Sequence, residues 1–279
     1  MPHKLSLDFD RRPCADITDE ACTTGQPPMV DYPRYSSTLT PYSDLLHLDL
    51  KVPGEHLLEG ESFDGEMQLF HIHLEEDPAR VSSIGVPIRA VQFHHNDVFQ
   101  DMLDKFQLKY DEDAEACRRR RQLRSRQMLR ANSNSSSSSL ADEDDPFFEL
   151  PEWHNETMAA QRMLQRRRFD PYDYALMPGM FFYRYDGSIT EPPCMPITWW
   201  VMSEPMNISM VQLYQMKVLQ FTHVDEDCRK TSVHNGNQAV TRPLEKLGED
   251  RDIEKCSPGD FRSDVSKDRP EARHCSSFS

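Results

Sequence analysis

The chain has 279 residues, enough for one large domain or two small ones, and a formal net charge of 32 − 47 = −15, which excludes a global attraction to nucleic acid or to an anionic membrane surface. Its apolar share of 37% falls below the roughly 45–50% of globular domains, so part of the chain is expected to lie outside any packed core. No apolar run approaches the ~18 residues of a membrane-spanning helix, and the opening MPHKLSLDFDRRPC has no apolar region of the kind a signal peptide needs.

LSLDF, near the start, reads as a short strand. Leu45–Val52, Glu66–Leu74 and Val81–Val91 follow as strand candidates, each with period-two alternation or β-branched and aromatic enrichment. Phe99, Leu103, Phe106 and Tyr110 recur at helical spacing and predict an amphipathic helix. Residues 118–146 break the pattern: seven Arg and seven Ser stand against six apolar residues in twenty-nine, too few to offset the entropy of ordering. They are expected to form a disordered insertion whose arginines offer a docking element for an acidic protein partner. Gly179–Tyr185 and Ile197–Met202 are the next strands, and Val211, Tyr214, Val218 and Leu219 mark a second helix. Residues 245–279, with eight apolar residues in thirty-five, are expected to be a flexible charged tail. One mainly β domain with a few short helices, over residues 1–244 and interrupted at 118–146, accounts for this order.

Seven cysteines without CxxC spacing argue against a zinc ribbon or a thioredoxin-type site. Sequons at Asn134, Asn155 and Asn207 are weak pointers to a secretory route. In LLHLDLKVPGEH, His47 and Asp49 share one face of an extended strand, with Leu46, Leu48 and Leu50 on the other. Glu66 and Gln68 share a face in FDGEMQLFHIH. Polar groups on neighbouring strands can converge on a metal or a reacting molecule; a solvated outer face is the plainer alternative.

Tyr185–Leu213, YDGSITEPPCMPITWWVMSEPMNISMVQL, resembles the signature of the α-class carbonic anhydrases: a G-S-[LI]-T-x-P-P-C turn, a T-W-x-V strand and an E-P-[IM]-x-[IV]-S helix start. GEHLLEGESFDGEMQLFHIH resembles the family's S-E-H to E-L-H-L-V-H stretch, with the same spacing from Glu55 to Glu66. FDPYDYALMP and VTRPLEKL resemble two further family motifs, and the EMQLFHIH and DLKVPGEH variants are similar to a diatom and algal branch. The resemblance implies a large, twisted, mostly antiparallel sheet flanked by short helices. It implies reversible hydration of CO₂ to bicarbonate and a proton by hydroxide on Zn²⁺ held by three histidines.

Carried over residue by residue, the resemblance gives Thr190 the role of accepting a hydrogen bond from that hydroxide and passing its own proton to Glu55. His47, Asp49 and Gln68 become the ligand positions, two of them no longer histidine. Glu66 is the group that orients the third ligand from behind. His71 is expected on the opposite strand face, and it or His73 reaches the site only if a bulge changes parity. Glu191, Trp199 and Val201 line the substrate pocket, Glu191 disfavouring an anion, while Trp200 points into the core. A His/Asp/Gln set binds zinc more weakly than three imidazoles and suits a harder metal.

The family's N-terminal Trp-rich segment, Q-S-P motif and N-x-G-H strand have no counterpart here, so the chain is expected to lack the first part of the domain and the proton-shuttling histidine. Cys194 resembles a cysteine that secreted members pair with an N-terminal one, for which Cys14 or Cys22 can substitute. Secretory or organellar localisation follows if the N-terminus is truncated. Two functions are consistent with these residues: a carbonic anhydrase acting on CO₂ and bicarbonate with reduced activity, or a catalytically silent, carbonic anhydrase-related binding protein.

Overall fold

The computed structural model describes residues 4–9, 29–31, 42–73, 80–132, 169–231, 253–256 and 276–277. Among these residues ten strands form one sheet: β1 (Leu5–Asp8), β2 (Met29–Asp31), β3 (Tyr42–Lys51), β4 (Gly65–His73), β5 (Arg80–Ala90), β6 (Phe182–Ser188), β7 (Pro196–Met202), β8 (Met206–Ile208), β9 (Glu254–Cys256) and β10 (Ser276–Ser277). Among the described residues two helices accompany them, α1 (Asp97–Asn132) and α2 (Met210–Phe221). The strand order is β1-β3-β4-β5-β7-β6-β9-β10, with β2 also on β3 and β8 also on β5. Among the described residues only the β5–β7 and β5–β8 pairs are parallel. The expected large, mainly β, mostly antiparallel sheet is the architecture observed.

Alternation divides the sheet into two unlike faces. On one, Leu48 and Leu50 of β3, Met67 and Leu69 of β4 and Val86 and Ile88 of β5 are fully buried. They pack against Phe99, Met102 and Leu103 of α1 and Leu213, Met216 and Leu219 of α2 in one cluster. Each such side chain contributes roughly 1.5–3 kcal/mol by leaving water. The other face carries a smaller cluster of Phe70, Ile197, Trp199 and Val201 and most of the polar residues singled out above.

The register of β3 departs from simple alternation at one point. A bulge between Leu45 and His47 puts Leu45, not Leu46, in the core with Leu48 and Leu50. An extra residue in one strand of a pair reverses parity beyond it, which is why an unbroken Leu46, Leu48, Leu50 face does not form. On β4, His71 falls on the core side as expected; it is fully buried, with Nε2 2.7 Å from the Tyr172 hydroxyl. The side chain of His73 lies outside the described residues.

Both helices start on one glutamine. The Asn96 side chain accepts from the Phe99 N–H and caps α1, and Ser209 with Gln212 forms a capping box on α2. Gln212 Oε1 accepts the Asn96 and Ser209 N–H groups while its Nε2 donates to the Asn96 carbonyl. These bonds satisfy the backbone donors that a helix start leaves open, and they lock the two helices to each other.

Residues 118–132, expected to be disordered, are helical: α1 runs 36 residues to Asn132 and is not a short helix. Arg, Gln, Leu and Met are good helix formers, and the middle of α1 is anchored to the loop after α2. A disulfide joins Cys117 to Cys228, Arg120 pairs with Asp227, and His223 Nε2 lies 3.1 Å from Asp113. The remaining residues of the proposed insertion, 133–146, lie outside the described ones. Within the tail expected to be flexible, Glu254–Cys256 adds to β6 as a strand and Ser276–Ser277 adds to that strand. Cys194, which the resemblance aligns with a disulfide-forming cysteine, is free, and among the described residues Cys117 and Cys228 form a disulfide; Cys14 and Cys22 lie outside the described residues.

The disulfide closes a sequence separation of 111 residues, a long loop of the kind whose closure removes much unfolded-state entropy. Cys228→Ser is expected to lower the unfolding free energy by about 2–4 kcal/mol. Urea denaturation of the oxidised chain, the chain under reductant and the variant measures this; equal midpoints for all three contradict it.

Candidate functional site

β3 and β4 run antiparallel with Asp49 opposite Gln68 and Lys51 opposite Glu66. With Leu48 and Leu50 of β3 committed to the core, the other face presents His47, Asp49 and Lys51 from β3 beside Glu66 and Gln68 from β4. Gly85 of β5 lies opposite Gln68. A Cβ there would sit 3.0 Å from Glu66 Oε1, so glycine makes room for the carboxylate.

At the centre lies a three-membered contact between distant parts of the chain. Thr190 Oγ1 donates to Glu55 Oε2 at 3.0 Å. Lys51 Nζ donates to the same Glu55 oxygen at 2.8 Å and to Thr190 Oγ1 at 2.7 Å. Since the one hydroxyl proton of Thr190 goes to Glu55, its oxygen meets Lys51 as an acceptor. Lys51 is 3% exposed, and a cation buried that deeply persists only when paired.

Glu66 is the second hub. Its Oε2 accepts the backbone N–H groups of Glu55 and His56, each at 2.9 Å, which fixes the loop after β3. Its Oε1 lies 2.6 Å from His56 Nδ1 and accepts Gln68 Nε2 at 2.9 Å. Burial pushes the Glu66 carboxyl up, but the adjacent His56 ring and these hydrogen bonds outweigh it and bring the pKa down to about 2. His56 Nε2 lies 2.6 Å from the Tyr185 hydroxyl, and its ring meets Trp199 edge-on.

Gln68 Nε2 also donates to Glu55 Oε2 at 3.0 Å. Two carboxylates thus hold its amide nitrogen and fix which way the amide points, since reversing it would set an acceptor against them. Gln68 Oε1 is left buried without a hydrogen-bond partner among the described residues.

Asp49 is completely buried and engaged at both oxygens: Lys4 Nζ reaches Oδ2 at 2.6 Å and Ser6 Oγ donates to Oδ1 at 2.7 Å. Lys4 also pairs with Glu191 at 2.8 Å. Burial works against the charge of Lys4, but Asp49 and then Glu191 hold its pKa above the usual value. His47 stands farther out, with Nε2 3.6 Å from Asp49 Oδ2 and the ring stacked on Phe70. Burial lowers its pKa.

The structure therefore gathers Thr190, Glu55, Glu66, Gln68 and Asp49 into one site, with Trp199 and Val201 in its apolar wall. It leaves His47 on the outer side of Asp49. The residue nearest Thr190 and Glu55 on β3 is Lys51, which the ligand assignment passed over although it is the next same-face position after His47 and Asp49. Glu191 does not present a bare carboxylate, because Lys4 neutralises it. Lys4, Ser6, His56 and Tyr185 were also missed. His56 and Tyr185 lay within the motifs, whereas Lys4 and Ser6 reach the site only because β1 pairs with β3.

This donor set does not fit a zinc ion. The oxygens of Asp49 are taken, Gln68 points its amide nitrogen at the carboxylates of Glu55 and Glu66, and the Lys51 ammonium, which has no lone pair, occupies the Glu55 and Thr190 oxygens. Among the described residues no group of three or more His, Cys, Asp or Glu is placed to hold a metal ion. Nor is any helix among them long and apolar enough to cross a membrane.

Residues 153–256 match the family model of the eukaryotic-type carbonic anhydrases. Human carbonic anhydrase 12 is 39% identical over 59 residues, 20% of this chain and 17% of that protein. Putative carbonic anhydrase 5 of Caenorhabditis elegans is 38% identical over 66 residues, 22% and 21% respectively. The matched stretches thus span about a fifth of these relatives' length. Among solved structures, dioscorin complexed with ascorbate is 17% identical with a TM-score of 0.46, covering 92% of this chain and 71% of that one. The α-carbonic anhydrase of Thermovibrio ammonificans with sulfanilamide is 16% identical with a TM-score of 0.41, covering 76% and 62%. The family-model match and the curated relatives show a similarity of part of this chain to carbonic anhydrases. The matched residues include Thr190, Glu191, Trp199 and Val201; positions 49, 51, 55 and 68 precede them.

Two buried groups predict the acid response. Burial lowers His71 from 6.5 to about 3, so its contribution is complete above pH 6.5 and is lost as pH falls toward 3. The contribution of Glu66, lowered from 4.5 to about 2, is lost only below pH 4.5. Urea unfolding at a series of pH values is expected to show stability falling from pH 6.5 by up to about 1.4 kcal/mol per unit, and more steeply below 4.5. His71→Gln is expected to reduce the slope from 6.5 down to about 3, leaving the part due to His47, whose pKa burial also lowers, and the Glu66 limb below 4.5; an unsubstituted chain already flat between 6.5 and 4.5 contradicts the assignment.

Proposed function

We propose that the chain is a carbonic anhydrase-type protein that keeps the family's hydroxyl–carboxylate pair but does not hydrate CO₂ through zinc hydroxide, and that it acts as a binding or interaction protein. One observation carries this reading: the Thr190 oxygen that the family resemblance assigns to a metal-bound hydroxide accepts a hydrogen bond from Lys51 at 2.7 Å. The engagement of Asp49 by Lys4 and Ser6 supports it.

A second reading rests on the intact Thr190-to-Glu55 hydrogen bond of 3.0 Å. In it, reversible hydration of CO₂ to bicarbonate persists at a low rate, with His47, Asp49 and Gln68 holding a divalent metal. That arrangement requires Asp49 to release Lys4 and Gln68 to turn its oxygen inward, and both movements separate buried partners. The Cys117–Cys228 disulfide supports an oxidising compartment for either function.

Elemental analysis after dialysis, followed by stopped-flow CO₂ hydration with and without added zinc, separates the two. The expected outcome is well under one zinc per chain and a rate equal to buffer. Stoichiometric zinc together with hydration that Glu55→Ala abolishes establishes the second reading.

A further inference from the structure

Asp49 and Lys51 are two apart on β3 and share a face, and Gln68 lies directly opposite Asp49 on β4. Two same-face positions on one strand and one on its neighbour form a tripod on a rigid base, an arrangement suited to three metal ligands. All three positions are filled against that use. Lys51 Nζ and Gln68 Nε2 both donate to Glu55 Oε2, at 2.8 and 3.0 Å, so two N–H-bearing groups crowd one carboxylate oxygen. Asp49 is held away by Lys4 and Ser6. Of the three, only Lys51 bears a positive charge. It is also the one that bridges the β3 face to the turn carrying Thr190.

We infer that the Lys51 ammonium is an internal counter-cation that holds Thr190 and Glu55 in place and shuts metal ions out of the tripod at positions 49, 51 and 68. This rests on the metal-free pocket proposed above and assigns the exclusion to one positioning residue. The physical reason is double. A divalent ion brought beside Lys51 meets a like charge within a few ångströms in a buried site, and Lys51 offers it no lone pair. Lys51 meanwhile neutralises Glu55, whose carboxylate has no other cationic partner among the described residues. The unpartnered Gln68 Oε1 marks the side of the tripod where a ligand nitrogen at position 68 could stand without displacing an existing bond to that oxygen.

The test compares zinc retention after dialysis, and the zinc-dependent shift in Tm, in three full-length chains. The unsubstituted chain and Asp49→His/Gln68→His, which keeps Lys51, are expected to retain no zinc. Asp49→His/Lys51→His/Gln68→His is expected to retain one zinc per chain, with affinity at least about 100-fold above the double variant and a rise in Tm on zinc addition. A double variant that holds zinc as tightly as the triple, or a folded triple variant that retains none, overturns the role of Lys51 and leaves the proposed function standing. Stoichiometric zinc in the unsubstituted chain overturns both. Should the triple variant not fold, Lys51→Met is compared with Lys51→Met/Glu55→Gln: a large fall in Tm for the first, mostly restored in the second, supports the counter-cation role, and an unchanged Tm in Lys51→Met overturns it.

Discussion

A buried ammonium needs a buried anion. Lys51, 3% exposed, meets that requirement with Glu55 at 2.8 Å and with the Thr190 oxygen at 2.7 Å. At this separation the Coulomb attraction is about 6 kcal/mol for an effective dielectric near 20. Desolvation of the two ions takes back a comparable amount, so the intact pair adds little net stability. Removing one partner is another matter, costing about 3–5 kcal/mol because the other charge stays buried. The three residues thus stand or fall together, and so do the elements that bring them there: the β3–β4 register, the loop from residue 52 to 64 and the turn after β6.

The same logic governs the whole polar face of the sheet. Asp49 pairs with Lys4, Glu55 with Lys51, Glu66 with His56, and Glu191 with Lys4 again. Each carboxylate has a resident cationic or imidazole partner. A pocket whose charges are satisfied from within is held by its own side chains. The apolar face supplies the rigidity behind this arrangement, through leucines and methionines packed on α1 and α2. The two functions of the sheet are therefore separated by alternation: one face stabilises the fold, the other positions charge.

Much of this was legible in the sequence. Alternation located the principal strands to within a few residues, and the motifs around Glu55, Glu66 and Thr190 placed three residues that do meet. Other features depend on contacts that local pattern does not encode. The bulge at Leu45 and His47 altered which leucine enters the core. Lys4 reaches Asp49 only through the β1–β3 pairing. The helical run to Asn132 was hidden by a composition poor in apolar residues, although its arginines and glutamine favour a helix and the bond from Cys117 to Cys228, 111 residues away, anchors it. Lys51 was visible as the next residue on the face of His47 and Asp49, but a family pattern that expects histidine draws attention to the histidine present.

The central claim is that Lys51, not a metal ion, completes the Thr190–Glu55 pair. A crystal structure of the chain grown with excess zinc, with anomalous data collected on both sides of the zinc edge, tests it most directly. The account predicts Lys51 Nζ within hydrogen-bond distance of Glu55 and Thr190 and no anomalous peak among positions 49, 51 and 68. An anomalous peak there, with Lys51 turned away from Glu55, would contradict it.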